Sequence, residues 1–404
     1  MDIHNAILSR PSAIRMATKE PDGEIVPRFQ WRWEEGTNAP AEMERGSSVV
    51  HDGVAYFNPG GSQNVFAYTP NNECVWSTLK AKPCQRRFGL VVVNHHLTAV
   101  GGESPSGPNW EATNCIFSFK GNTWEECYPR MPTKRLYPGV VCFREYLVAA
   151  GGGERWGGRC VDVVEVLDTE TLLWYTACSL PDPVTDMMAI ALGTNLFFVG
   201  GFRGSGSSIH VCRTVLRCGK EDLLNSCIIS SQSQQSPNKH TKVWYDTVAD
   251  IPAYNTSCVK MFGWLLAVGG STDFGVGLFS ATNAVYRYDP DSNTWPIVGH
   301  MPTARHSSLA VAIGNSIVVV GGRTLPRFIK PRKCSIVEVG FLLLSGEHSS
   351  EVLYSINSIP IGNKSHCHML VIVISLPNMV NDCFTHWTTL CKTTHRYGYC
   401  TGEI

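Results

Sequence analysis

A pair of glycines closes a short apolar run six times along these 404 residues. In order the runs read "FNPGG" (Gly60, Gly61), "LTAVGG" (Gly101, Gly102), "YLVAAGG" (Gly151, Gly152), "LFFVGG" (Gly200, Gly201), "LLAVGG" (Gly269, Gly270) and "SIVVVGG" (Gly321, Gly322). The second glycines stand 41, 50, 49, 69 and 52 residues apart. A repeat of roughly 50 residues is one small sheet that cannot bury its own faces, so it must stack on neighbours like itself. A ring of such sheets hides every face.

The residues around each pair describe the same unit. Upstream lies another apolar segment, such as "GLVVVN" (Gly89–Asn94) or "SSLAVAIG" (Ser307–Gly314); downstream comes an alternating one, such as "NCIFSFK" (Asn114–Lys120) or "NAVYRYD" (Asn283–Asp289). A polar turn and a tryptophan follow, as in "KGNTW" (Trp124), "DTETLLW" (Trp174) and "DPDSNTW" (Trp295), and then a closing "RMPT", "SLPD", "DIPA" or "HMPT". This is a four-stranded meander with turn residues where turns need them. On these motifs the chain resembles kelch repeats from about Phe29 to Val339, over three-quarters of its length. The resemblance implies an all-β, six-bladed propeller with four antiparallel strands per blade.

The way the ring closes is also legible. Five glycine pairs are followed by a tryptophan (Trp76, Trp124, Trp174, Trp244, Trp295), but Gly321–Gly322 is not; Trp387 stands 65 residues on. The spare tryptophan is Trp33, in "FQWRWEEGTNAP". Phe29–Glu35 is therefore expected to supply the outermost strand of the sixth blade, so that neither end gapes. The organisation that follows is an N-terminal tail at 1–28, the propeller at 29–339 and a C-terminal extension at 340–404. A polar insertion at about 219–242 falls between the last two strands of blade four. Its centre, "SSQSQQSPNKH" (Ser230–His240), has the composition of a mobile loop, and "KEDLLNSCII" (Lys220–Ile229) is the one modest helical candidate. The extension has no repeat and reads as divergent, disordered or an artefact of the gene model.

Charge and cysteine usage narrow the function. With 34 basic and 34 acidic side chains, no net field favours nucleic acid or an anionic membrane. No apolar stretch approaches the roughly 20 residues of a membrane span, and the first residues do not form a secretory signal. The 16 cysteines are scattered without C-x-x-C spacing. They are expected to be reduced, buried thiols in a cytoplasmic chain, with Cys84 and Cys127, near arginines, as the redox-sensing alternative. The "HCH" at His366–His368 fits no tetrahedral zinc pattern.

No nucleophile elbow, P-loop, zinc-protease or dinucleotide motif occurs, so neither catalytic residues, a metal nor a cofactor is expected. The enzymatic alternative is a propeller oxidase resembling galactose oxidase, or a sugar-modifying enzyme. An oxidase would need tyrosine, cysteine and histidine to converge, and Tyr137, Tyr254, His306 and Cys142 are the candidates. Recognition of a protein or peptide is the main expectation. Two loop sets share one end of the channel. After the glycines come Glu103, Trp156, Phe202, Arg203 and Arg323; after the closing turns come Arg45, Arg86, Arg87, Arg135, Tyr137, Asp186, Asn255, Arg305 and His306. Arg45, Arg86 or Arg87, Arg135 and Arg305 fall at similar places in four repeats, and guanidiniums converging on one opening favour an acidic peptide. The propellers of kelch ubiquitin-ligase adaptors receive acidic peptides on equivalent loops, and this is what the resemblance implies for Arg45, Arg86, Arg87, Arg135, Tyr137, Trp156, Arg203, Arg305, His306 and Arg323. Those adaptors carry a dimerisation and cullin-binding module ahead of the propeller, where this sequence has about 28 residues.

Overall fold

The computed structural model describes residues 28–70, 75–79, 85–106, 109–204, 210–229, 245–273, 279–324, 332–333, 336–345, 351–357 and 369–375. Cys84, the polar segment Ser230–His240, the "HCH" cluster and the N-terminal tail lie outside the described residues.

Six antiparallel sheets follow the glycine pairs. Blade one is Gly46–His51, Val54–Pro59, Phe66–Thr69 and Val75–Thr78; blade two is Gly89–Val93, His96–Val100, Ile116–Lys120 and Thr123–Glu126. Blade three is Gly139–Phe143, Tyr146–Ala150, Val164–Asp168 and Leu173–Thr176, and blade four is Met188–Leu192, Asn195–Val199, Val215–Gly219 and Asp246–Val248. Blade five is Ser257–Met261, Trp264–Val268, Ala284–Arg287 and Ile297–His300. In blade six, Leu309–Ile313, Ser316–Val320 and Val337–Ser345 are completed by Arg28–Gly36, the N-terminal strand that Trp33 pointed to. The first strands of successive blades neighbour one another all the way round, with the sixth returning to the first.

Apolar side chains between the sheets hold the blades together. Val148, Val164 and Val166 of blade three meet Leu196, Phe198 and Leu216 of blade four in one packed cluster, and equivalent clusters join blades one and two, two and three, four and five, and six and one. Tryptophans stitch part of the outer rim by donating to a carbonyl at the end of the preceding blade, Trp174 to Pro129 at 2.9 Å and Trp295 to Ala249 at 2.7 Å. Trp76 does the same to Thr37, just past the N-terminal strand, at 2.9 Å. The closure thus uses the same bond as the junctions of blade two with three and of blade four with five.

The glycine pairs are required by close approach. Both Gly101 and Gly102 adopt positive φ (65° and 95°), and a Cβ on Gly102 would meet the Arg86 carbonyl oxygen at 2.5 Å. The freed N–H of Gly102 donates to the Arg135 carbonyl of the next blade at 2.8 Å, and Gly322 donates to Met43 at 2.6 Å across the closure.

The start of the insertion has structure of its own. Lys220–Asn225 is a helix whose Leu223 is fully buried, and Ile228–Ile229 adds a fifth strand to the outer edge of blade three, pairing with Tyr175 and Thr176. These ten residues therefore tie blade four to blade three instead of forming part of a loop. A second compact unit takes in the residues beyond Phe341, where Glu351–Asn357 pairs antiparallel with Met369–Ser375.

Candidate functional site

Each blade enters its innermost strand through a turn, and three successive positions of that turn have three different fates. The first position is Gln85, Arg135 and Arg305 in blades two, three and six. It turns into the blade: Gln85 donates to Gly101 and Cys115, Arg135 to Gly151 and Val163, and Arg305 to Gly321 and Ile336. The second position pairs with the loop after the glycines, as in Arg86 with Glu103, Thr185 with Phe202, and His306 with Arg323.

The third position makes the channel mouth. Its occupants are Arg45, Arg87, Tyr137, Asp186, Asn255 and Ser307, and all six have φ between 47° and 58°. The left-handed region costs a non-glycine residue about 1–2 kcal/mol, and backbone bonds between blades help to hold it. Tyr137 N–H donates to Arg87 O at 2.7 Å, Asp186 N–H to Tyr137 O at 3.1 Å, Ser307 N–H to Asn255 O at 2.9 Å and Arg45 N–H to Ser307 O at 2.9 Å. Arg45, Tyr137, Asp186, Asn255 and Ser307 line a cavity of about 190 Å³ that continues between the innermost strands.

Side chains reach across this mouth. The Arg45 guanidinium of blade one lies 4.4 Å from the centroid of Phe202 in blade four. Its Nε is buried and, among the described residues, makes no hydrogen bond. Burial pushes the Asp186 carboxyl above its ordinary range against the pull of Arg45, and pushes the Tyr137 phenol up to about 12. His306 Nδ1 is 3.0 Å from Ser307 Oγ, its buried Nε2 has no hydrogen-bond partner among the described residues, and burial holds its imidazole below the usual value.

Two of the arginines expected at the mouth are elsewhere. Arg135 and Arg305 are both 0% exposed. Arg135 Nη2 pairs with Glu165 Oε2 at 2.6 Å and Arg305 Nη2 with Glu338 Oε1 at 3.1 Å. Each carboxylate stands on the third strand of its own blade. The two guanidiniums cement the blade from inside and cannot face a ligand. Their matching places also differ from those of Arg45 and Arg87, by two residues along the turn.

The remaining arginines are at this end but already engaged. Glu103 Oε1 accepts from Arg86 Nε and Arg87 Nη1, both at 2.6 Å. Arg203 pairs with Asp182 at 2.9 Å and Arg323 with Glu44 at 2.6 Å. Trp156 is 55% exposed, and the Arg87 guanidinium lies 4.1 Å from its ring centroid. Arg86 stacks in the same way, 3.9 Å from Trp110. Sequence reasoning missed Trp110; the signal was the long stretch after Gly102, which forms a hairpin of Glu103–Ser106 with Asn109–Ala112.

The oxidase candidates do not converge. Tyr137 is at the mouth, whereas Cys142 lies near the far turn of the same blade, its thiol donating to Arg144 O at 3.7 Å and pushed up to about 11 by burial. Among the described residues no group of three or more His, Cys, Asp or Glu side chains is placed to hold a metal ion.

Comparison with known proteins agrees with the repeat. A sequence model of the kelch motif matches residues 134–180. Kelch-like protein 25 of Xenopus tropicalis is 29% identical over 160 residues, covering 39% of this chain and 22% of that protein. Human Kelch repeat and BTB domain-containing protein 2 is 24% identical over 292 residues, covering 65% and 42%. Alpha-scruin of Limulus polyphemus is 22% identical over 278 residues, covering 64% and 27%. The chain thus spans less than half the length of each of these relatives. The solved structure of YjhT superposes with a TM-score of 0.57 at 12% identity, over 76% of this chain and 96% of that one. With six sheets in a closed ring and a kelch motif in its third blade, the chain is a six-bladed β-propeller of the kelch type.

Proposed function

We propose that this chain is a protein-interaction propeller, an adaptor or scaffold that works by docking a partner protein or peptide at the channel mouth rather than by catalysis. The observation that carries the reading is Arg45. Of the arginines that sequence reasoning assigned to this end, Arg86, Arg87, Arg135, Arg203, Arg305 and Arg323 each hold a carboxylate of their own chain, and Arg45 has none within ion-pair distance among the described residues. A guanidinium resting on an aromatic face, with a buried nitrogen still to satisfy, is suited to receive one carboxylate of the partner through two bonds. The acidic preference thereby narrows from a run of charges to a single acidic side chain.

The kelch relatives support an interaction role, since the human one joins kelch repeats to a BTB domain. A cytoplasmic setting fits the nine free cysteines among the described residues. The test is affinity capture with the full chain and its Arg45→Ala variant as baits, read by mass spectrometry. A partner held by the first and lost from a still-folded second supports docking at the mouth. Identical captures by both baits overturn it. Arg144→Ala, at the opposite end of the propeller, is the control and is expected to capture like the unaltered chain.

A further inference from the structure

We infer that the loops of blades two and three dock a proline-rich segment of the partner in the polyproline II conformation. The inference rests on the docking function proposed above and adds a second subsite beside the Arg45 mouth. Its basis is a pair of matched stacks. One oxygen of Glu103 takes both Arg86 Nε and Arg87 Nη1, each at 2.6 Å. Each guanidinium also lies on an indole, Arg86 on Trp110 at 3.9 Å and Arg87 on Trp156 at 4.1 Å. Tyr137 packs on Trp156 with its ring centroid 6.0 Å away and links this platform to the mouth.

The hydrogen-bonding inventory of the platform is one-sided. Two indole N–H groups and the remaining guanidinium N–H groups donate, while the Glu103 carboxylate is 3% exposed and already taken. A complementary ligand brings acceptors and flat apolar rings and needs few acceptors in return. Proline residues have no backbone N–H, and the polyproline II chain leaves every carbonyl outward and solvated. Its stiffness keeps the ordering cost of docking low, and aromatic-lined grooves are the usual receivers of such segments. A basic segment would meet two arginines. Glu103 already offsets one of the two guanidinium charges and leaves their other nitrogens to a neutral, carbonyl-rich chain.

The experiment is selection of a random-peptide phage library on the full chain, followed by titration of the selected peptides. Enrichment of proline is expected, with Trp156→Ala and Trp110→Ala each weakening the selected peptides about tenfold or more, the scale of a lost aromatic anchor. Both side chains stand on loops, and an unchanged unfolding midpoint would show that the variants fold. Acidic peptides without proline, proline-rich peptides that bind both tryptophan variants as tightly as the unaltered chain, or no enrichment would each overturn the inference. If the selected peptides are acidic and only Arg45→Ala weakens them, the proline subsite falls and docking at the mouth stands. If all three variants leave binding unchanged, both fall.

Discussion

The Arg45 guanidinium lies 4.4 Å from the centroid of the Phe202 ring, in the blade opposite its own. In a ring of six, blades one and four face each other, so this contact crosses the channel. The turn that opens blade one and the loop after the fourth glycine pair are thereby joined over the cavity.

This contact is expected to contribute little to folding. A partly exposed cation–π pair is worth about 0.5–1 kcal/mol, so Arg45→Ala should lower unfolding stability in urea by no more than about 1 kcal/mol. Loss of partner binding by this variant would then report on the site and not on the fold.

Arg305 should behave in the opposite way. Removing one member of a buried ion pair leaves the other charge unsolvated, at a cost of about 3–5 kcal/mol. Arg305→Ala strands Glu338, which is 3% exposed. Urea unfolding should show a loss of that size. Replacing the pair together, with Arg305→Met and Glu338→Leu, should recover much of it.

These two arginines mark where the sequence was legible and where it was not. The glycine pairs, the tryptophans and the alternating third strands are local features, and each blade, including the closure by Arg28–Gly36, follows from them. The fates of the turn residues are not local. Arg135 meets Glu165 and Arg305 meets Glu338 from about 30 residues away, across the blade. A signal was present: "VEV" recurs at Val164–Val166 and Val337–Val339, a charge in an otherwise apolar strand, in two blades that carry the arginine. The mouth position was harder to see, because arginine, tyrosine, aspartate, asparagine and serine share it. What unites Arg45, Arg87, Tyr137, Asp186, Asn255 and Ser307 is a backbone angle, not a residue type.

The closure strand gives a steric prediction. A Cβ on Gly299 would overlap the Trp31 indole, and one on Gly340 would meet Trp33 at 2.8 Å. Trp31 and Trp33 stack on each other with centroids 5.7 Å apart, so neither can move independently. Gly299→Ala should cost about 1–3 kcal/mol, as overpacking does. Thermal unfolding of Gly299→Ala beside Gly53→Ala, where a Cβ meets nothing within 4 Å but φ is +73°, separates the clash from backbone strain.

Asp186 gives a pH dependence. Burial raises its carboxyl above the ordinary 3.8, so the folded chain holds this proton more tightly than the unfolded chain. The stability it contributes is complete below about pH 3.8 and is lost as pH rises through the raised value. Asp186→Asn removes that loss. Its urea midpoint should exceed that of the unaltered chain at about pH 7, and the two should converge toward about pH 4.

The central claim, that the glycine-pair end of the propeller is the docking face, is tested most directly by hydrogen exchange of the full chain with and without a captured partner. Slowed exchange should appear at 44–46, 86–88, 136–138 and 153–160, the turns and loops around Arg45, Arg87, Tyr137 and Trp156. Protection confined to 51–54, 94–96 and 143–146, the turns at the other end, would contradict the account.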